Sequence, residues 1–386
     1  MNDGNVAPHL IPWRTGRAGS VRVWDAAVRG FHWLLAGSVL GAAYTGFFMK
    51  RLALQTHLLL GIAVALLVLF RLVWGLCGPT YARFASFAHP PRALGAHLRA
   101  LAAGRGDRHL GHNPLGALMV FALLLVLAAL VFTGAGALGG VLKQGPLAAF
   151  MSYAAGRGVL LVHGGLTILL LAMIALHLGG VAFESRRSGE NLVRAMVTGD
   201  KPALPAAHRA APARPRPMLA AAALAAGGLL GGAMVAALSA LPARGMPPAR
   251  LDRHYVNNCD SCHMAYPPSL ASAATWRGIM TNLTHHFGED ASLGRRATAR
   301  ITAYLTANSA GHWDSLPAHL LRAANPADPL RITATAGWRR MHRHIAVAVF
   351  RAKAVRSRAA CSACHADAKT GRFAPQNIHI PQTAMP

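Results

Sequence analysis

Five stretches of the chain, 31–49, 57–76, 114–137, 159–181 and 218–241, are each apolar over about 20 residues, the length that crosses the hydrocarbon core of a bilayer. In lipid such a segment satisfies its own backbone only as a helix. The fold class this predicts is all-α, with a large membrane-embedded part. Composition agrees: 53% of the 386 residues are hydrophobic and only 13% charged. The formal net charge is nonetheless +26. A nucleic-acid binder would also be basic, but it would not carry several runs of membrane length. The lipid bilayer is therefore the expected partner, and nucleic acid is not.

The basic residues set an orientation. Arg14, Arg17, Arg22 and Arg29 precede the first span, and Arg83, Arg92, Arg99, Arg105 and Arg108 follow the second. Arg186, Arg187, Arg194, Lys201, Arg209, Arg214 and Arg216 follow the fourth. The other two loops hold only Lys50 with Arg51, and Lys143 with Arg157. Cations concentrate on the cytoplasmic side of a membrane protein. The N-terminus is thus expected in the cytoplasm and, after an odd number of spans, the C-terminal part in the periplasm. No early apolar core opens the chain, so export is expected to depend on an internal span.

The expected organisation is a cytoplasmic tail (1–20), a transmembrane domain (21–200), a Pro/Ala/Arg-rich cytoplasmic linker (201–217), a fifth transmembrane helix (218–241) and a periplasmic module (242–386). The fifth span is built of Ala, Gly and Leu and holds no histidine, which suits an anchor. Its small residues near Ala237–Ala240 resemble a signal-peptidase site imperfectly, and retention is the expectation.

The C-terminal module carries CDSCH at Cys259–His263 and CSACH at Cys361–His365. In CxxCH one helical turn places two sulfurs on the vinyl groups of a haem and a histidine under its iron. Cys259 and Cys262, then Cys361 and Cys364, are expected to attach two haems c, with His263 and His365 as proximal ligands. A single motif of this kind also suits zinc; two in an exported segment point to haem. In bacteria this attachment happens outside the cytoplasmic membrane, which gives the same topology as the loop charges. Sixth-ligand candidates are His254, His285, His286, His312, His319, His342 and His344; Met264, adjacent to His263, cannot reach round the same ring. The fifth cysteine, Cys77, reads as an inert apolar residue. The module has 18 Lys and Arg against 7 Asp and Glu, so it suits either an acidic redox partner or simple solubility.

Ionisable residues inside a bilayer are expensive and usually functional. His163 and His177 are two heptads apart, on nearly one face of one helix and about 21 Å apart along it. His32 opens the first span and His57 the second. Antiparallel packing pairs His57 with His163 near the periplasmic face, and His32 with His177 near the cytoplasmic face. Each pair can supply both axial ligands of a haem b. Gly61, Gly164, Gly165, Gly179 and Gly180 lie close by, where a porphyrin or a helix can approach the backbone.

The segments VRVWDAAVRGFHWLL, HLLLGIAVALLVLFRLVWGLCGPTYARFASF, GHNPLGALMV and ALHLGGVAFESRRSGENLVRAMVTG resemble the bacterial cytochrome b561 family, which includes hydrogenase-type cytochrome b subunits. The resemblance covers about residues 20–200. It implies a four-helix, two-haem b module that exchanges electrons with the quinone pool, and its haem ligands fall on His32, His57, His163 and His177. Arg71, Arg83, His112 and Asn113 lie in the same motifs, where binding of propionates or quinone and pinning of the loop are all open. CDSCHMAYPPSL, NLTHHFGEDASL, RITATAGWRRMHRHI and CSACHADAKTGRF resemble the bacterial dihaem cytochrome c family over about residues 250–381. That resemblance implies bis-histidine ligation, with His286 as distal ligand of the first haem c and His342 of the second, and His285 and His344 as close competitors.

The expected function is electron relay between quinol and a soluble periplasmic redox protein, such as a cytochrome c, through two haems b and two haems c in the bacterial inner membrane. Two other classes fit a haem chain: an enzyme acting on a small molecule such as superoxide at an open haem site, and a gas-binding module.

Overall fold

The computed structural model describes residues 19–49, 53–105, 108–204 and 212–381. Arg14, Arg17, Lys50, Arg51 and Arg209, used above for topology, lie outside the described residues, as do most of the 1–20 tail and residues 205–211 of the linker.

Helix α1 (Ala26–Tyr44) begins where Asp25 caps it, its carboxylate accepting from the N–H groups of Ala27 at 2.9 Å and Val28 at 3.1 Å. A π-helical turn, Thr45–Met49, continues it. Helix α2 (Leu54–Cys77) returns antiparallel, and Trp74 near its end donates to the same Asp25. One carboxylate thus caps the first helix and ties it to the second. Helix α3 (Pro91–Ala102) lies in the following loop, and α4 (Pro114–Val141) starts with Asn113 accepting from the Gly116 N–H at 2.7 Å. Helix α5 (Tyr153–Ser188) has 36 residues, about 54 Å at the helical rise. It extends past both ends of the expected span, because the polar turns that begin and end it are invisible to a hydropathy count. Helix α6 (Leu192–Thr198) is short, and α7 (Pro217–Ser239) is the expected fifth span.

Four of these helices, α2, α4, α5 and α7, are long and apolar enough to cross a membrane. Helix α1, at 19 residues, is long enough but outside that set, with Arg29 and His32 lowering its hydropathy. Exposed leucines and phenylalanines cover the set, among them Leu125 at 71%, Phe132 at 72% and Leu229 at 75% exposed. So much bare apolar surface is costly in water and natural in lipid.

The chain divides into two compact units, residues 1–132 with 162–233, and residues 133–161 with 234–386. The first is held by a valine- and leucine-rich core including Val39, Val64, Val68, Leu127 and Leu170. A second cluster, around Trp24, Tyr81, Ala82 and Leu110, closes one end. There, strand β1 (Ser20–Arg22) pairs antiparallel with β2 (Asp200–Pro202), Val21 opposite Lys201. The linker expected from residue 201 therefore begins as ordered strand. The cause is Lys201: only 5% exposed, it bonds Glu190 at 3.2 Å and the His109 carbonyl at 2.9 Å.

The second unit holds the end of α4, the start of α5 and the helices α8 (Arg253–Cys259), α9 (Ala273–Thr281), α10 (Arg295–Ala307), α11 (Leu316–Leu321), α12 (Ala336–His342) and α13 (Val347–Arg351). Its larger core gathers Tyr255, Trp276, Ile279, Met280, Ile301 and Leu305, and a smaller one Val349 and Val355. Gly140 and Gly156 touch backbone to backbone where α4 and α5 cross, and a side chain at either would collide with the other.

Candidate functional site

Eight histidines stand in four facing pairs. In the first unit the ring centres of His32 and His177 are 6.5 Å apart, and those of His57 and His163 are 6.3 Å apart. Each pair joins α5 to another helix, α1 in one case and α2 in the other, as the helical arithmetic predicts. In the second unit His263 and His286 are 6.0 Å apart, and His342 and His365 6.1 Å.

A gap near 6 Å is what two axial ligands require, although His97 and His109, at 5.7 Å, and His89 and His109, at 6.5 Å, share it outside any haem motif. Imidazole nitrogen binds a transition metal at about 2 Å, and the ring centre lies about 1 Å behind it, so two axial histidines keep their centres about 6 Å apart. Among the described residues no group of three or more His, Cys, Asp or Glu side chains could hold a metal ion. Two ligands are what an iron needs from the protein when a macrocycle supplies the other four.

The ring nitrogens fit this use. The Nδ1 of His263 lies 2.8 Å from the Met264 carbonyl, that of His342 2.9 Å from the Trp338 carbonyl, and that of His57 3.0 Å from the Ala42 carbonyl. A carbonyl only accepts, so Nδ1 carries the hydrogen in each case and Nε2 keeps the lone pair that ligates. His163 hydrogen-bonds the backbone of Leu130. The Nδ1 atoms of His32 and His365 are buried with no hydrogen-bond partner. Burial first, then the facing ring, holds His286 and His365 below the ordinary histidine range, so both are neutral at pH 7, the ligating form.

The competitors make other contacts. His285 is bound to the Thr284 hydroxyl at 3.0 Å, and His344 accepts from Arg343 at 2.9 Å. His319 bonds Asp314 at 2.9 Å and stacks on Tyr153.

Both CxxCH motifs close short helical turns, Cys259 at the end of α8 and Cys361 at the start of a 3-10 turn, Cys361–Ala363. Burial pushes the thiols of Cys259 and Cys364 up and that of Cys361 up to about 11. The motifs are also tied together. Tyr266, whose ring centre is 4.9 Å from that of His263, donates its hydroxyl to the Ala359 carbonyl at 2.6 Å, just ahead of Cys361.

Arg71 and Arg83 have definite work in the loop after α2. Buried Arg71 donates to the Ala82 carbonyl at 3.0 Å and lies over Phe84. Arg83 donates to the Gly78 and Arg214 carbonyls, both at 2.7 Å. His112 sits between Trp24 and Phe87, and burial, with Arg71 and Lys201 nearby, lowers it to about 3. The glycines beside the membrane histidines do not bring helices together. A Cβ at Gly61, Gly164, Gly165, Gly179 or Gly180 would meet no described atom within 4 Å. The close approach near His57 comes from Gly46, where a Cβ would stand 3.3 Å from that ring.

One cluster has no sequence signature. Lys143, its side chain 1% exposed, bonds Asp314 at 2.8 Å, and the Tyr153 N–H donates to the same carboxylate at 2.7 Å. This joins the loop between α4 and α5 to the module that carries the CxxCH motifs. The clue in the sequence is scarcity, since Lys143 is the one cation in that loop and Asp314 one of only 13 acids in the chain.

Comparison with known proteins bears on both parts. A family model described as prokaryotic cytochrome b561 matches residues 23–199, and one described as dihaem cytochrome c matches residues 255–373. Among solved structures, DHC purified from Rhodobacter sphaeroides is 35% identical, with 32% of this chain and 97% of that one covered and a TM-score of 0.26. A dihaem cytochrome c from Shewanella baltica OS155 is also 35% identical, with 34% and 93% covered and a TM-score of 0.28. No curated protein matches.

Proposed function

Because the chain belongs to the dihaem cytochrome c family and its residues 23–199 match the prokaryotic cytochrome b561 model, we propose that it relays electrons between the quinone pool and a soluble periplasmic acceptor. It is a membrane haem protein of electron transport. The observation that carries the finer reading is the placement of four histidine pairs, two between long apolar helices and two that each include a CxxCH histidine. His32 with His177, and His57 with His163, would hold two haems b. His263 with His286, and His365 with His342, would hold two haems c, attached through Cys259 and Cys262 and through Cys361 and Cys364.

Haem, when bound, supplies one-electron iron chemistry; the chain positions and tunes it. The carbonyls of Met264, Trp338 and Ala42 fix ring tautomer and tilt, which limits rearrangement when charge changes. Two imidazoles at each pair favour a carrier over an enzyme or gas-binding module, since either of those needs an open iron position. The expected placement is the bacterial inner membrane, N-terminus in the cytoplasm and the haem c module in the periplasm. Loop arginines and the site of haem c attachment support it.

A redox titration of purified protein with haem stoichiometry is the test. The expected result is two haems b and two haems c per chain, all low-spin when ferric, with the c haems reduced on adding quinol. A high-spin ferric fraction, or c haems indifferent to quinol, would sink the reading. His163→Ala is expected to remove one haem b and spare the other.

A further inference from the structure

The charge of the second unit is unevenly spread. Between Asp328 and Asp367 the chain has eight Lys and Arg residues and no acid, and all eight are exposed. Among the described residues only Arg331 of these forms an ion pair, with Asp328. The segment 251–292, which holds His263 and His286, has two arginines and four acids. Arg331 lies over Phe287, beside His286, which leaves seven exposed cations, Arg339 to Arg358, in the sequence around His342, with Asp367 the acid that acts on His365.

The cations adjoin the His342–His365 pair itself. Arg339, Arg340 and Arg343 flank His342 along α12. Trp338 stacks on His342 with ring centres 4.3 Å apart, and the Arg358 guanidinium lies 6.0 Å from the centre of Trp338 and 5.9 Å from that of Phe350. A single aromatic layer separates the basic surface from the ligand ring. Membrane-binding patches couple cations to protruding apolar side chains. Here Val347 is the one exposed large hydrophobic residue between Asp328 and Asp367. Charge without apolar anchors suits a soluble partner that docks and leaves, steered by opposite charge.

We propose that the His342–His365 end is the port through which the protein exchanges electrons with its soluble partner, and that this partner is a redox protein with an acidic face that docks on the arginines around His342. The inference rests on the relay reading above. It adds which pair the partner meets and the chemistry of that partner.

The test uses the full chain in neutral detergent with an acidic soluble cytochrome c as probe. Binding affinity and the second-order rate of electron exchange are measured from low to high salt. Both are expected to fall about tenfold as salt rises to physiological strength. R339E/R340E, and separately R351E/K353E, should weaken binding and slow exchange about tenfold at low salt and flatten the salt dependence. R295E/R296E makes an equal charge change on exposed positions of α10 and should alter both less than about twofold. Unchanged haem content and Soret spectra would show the variants folded.

Equal slowing by all three double variants would mean that net charge alone steers the partner, and the port assignment would fall. No slowing by either patch variant would overturn it as well. It also fails if the patch variants change only binding to anionic vesicles, which would assign the surface to lipid. Quinol reduction of the c haems is read in the same samples. Its failure beside patch-dependent binding would sink the quinone reading and leave the port standing.

Discussion

His286 and His285 are neighbours with the same chemistry and opposite surroundings. One faces His263 at 6.0 Å between ring centres; the other is held by the Thr284 hydroxyl. The consequence is sharp at single-residue resolution. His286→Ala should convert one haem c from low-spin to high-spin in the ferric spectrum, while His285→Ala should leave the spectrum unchanged. The reverse outcome would exchange their roles. Spacing alone did not separate these two, because consecutive residues of a loop have no fixed face. The membrane histidines were legible for the opposite reason: a helix has a period, and 14 residues return nearly to the same side. Arg71 and Arg83 were conspicuous in the sequence, yet their carbonyl partners, Ala82, Gly78 and Arg214, have no side-chain signature to read.

At the scale of elements, the crossing of α4 and α5 at Gly140 and Gly156 is the tightest contact between membrane helices. Small residues let two backbones meet, and packing of this kind holds helices together where lipid gives no hydrophobic drive. Gly140→Val is expected to force the helices apart and to cost about 2 kcal/mol or more through overpacking. Thermal unfolding followed by the Soret band would report it, whereas Gly231→Ala, which meets open space on α7, a helix with no histidine, should be nearly silent. Hydropathy located all five long helices but misjudged their ends. The first begins at Ala26 because Asp25 caps it, and α5 runs from Tyr153 to Ser188 because helical hydrogen bonding continues through charged turns. A span is an apolar interval, while a helix stops where its backbone finds other partners.

For the molecule as a whole, Lys143 and Asp314 are 171 residues apart in the chain and meet at 2.8 Å. No local pattern announces such a pair, which is why the two modules were legible and their bond was not. Burial would raise the Asp314 carboxyl, but hydrogen bonds from Lys143, His319 and the Tyr153 N–H outweigh it and hold it below the usual carboxylate range. Its contribution is thus complete above the unfolded carboxylate value, about pH 4, and lost as pH falls through the lower folded value. Asp314→Asn leaves the Lys143 ammonium buried without its counter-charge, and removing one partner of such a pair costs about 3 kcal/mol. Slower quinol-driven reduction of the c haems, with the haem b spectra unchanged, is the expected signature. An unaltered rate would show that the contact does not position the module.

The same contact bears on where the dihaem module would be found if the peptide were cut. A protease acting between Leu241 and Asp252 severs the covalent tether, but Lys143 belongs to the loop that α4 and α5 carry and bonds Asp314 directly, beside the bond from the Asp314 N–H to Gly245 of the tether. The nicked fragment should still sediment with membranes near neutral pH and appear in the supernatant only after acid treatment, or with Asp314→Asn. Shedding of the haem c module would then require two events, one enzymatic and one electrostatic.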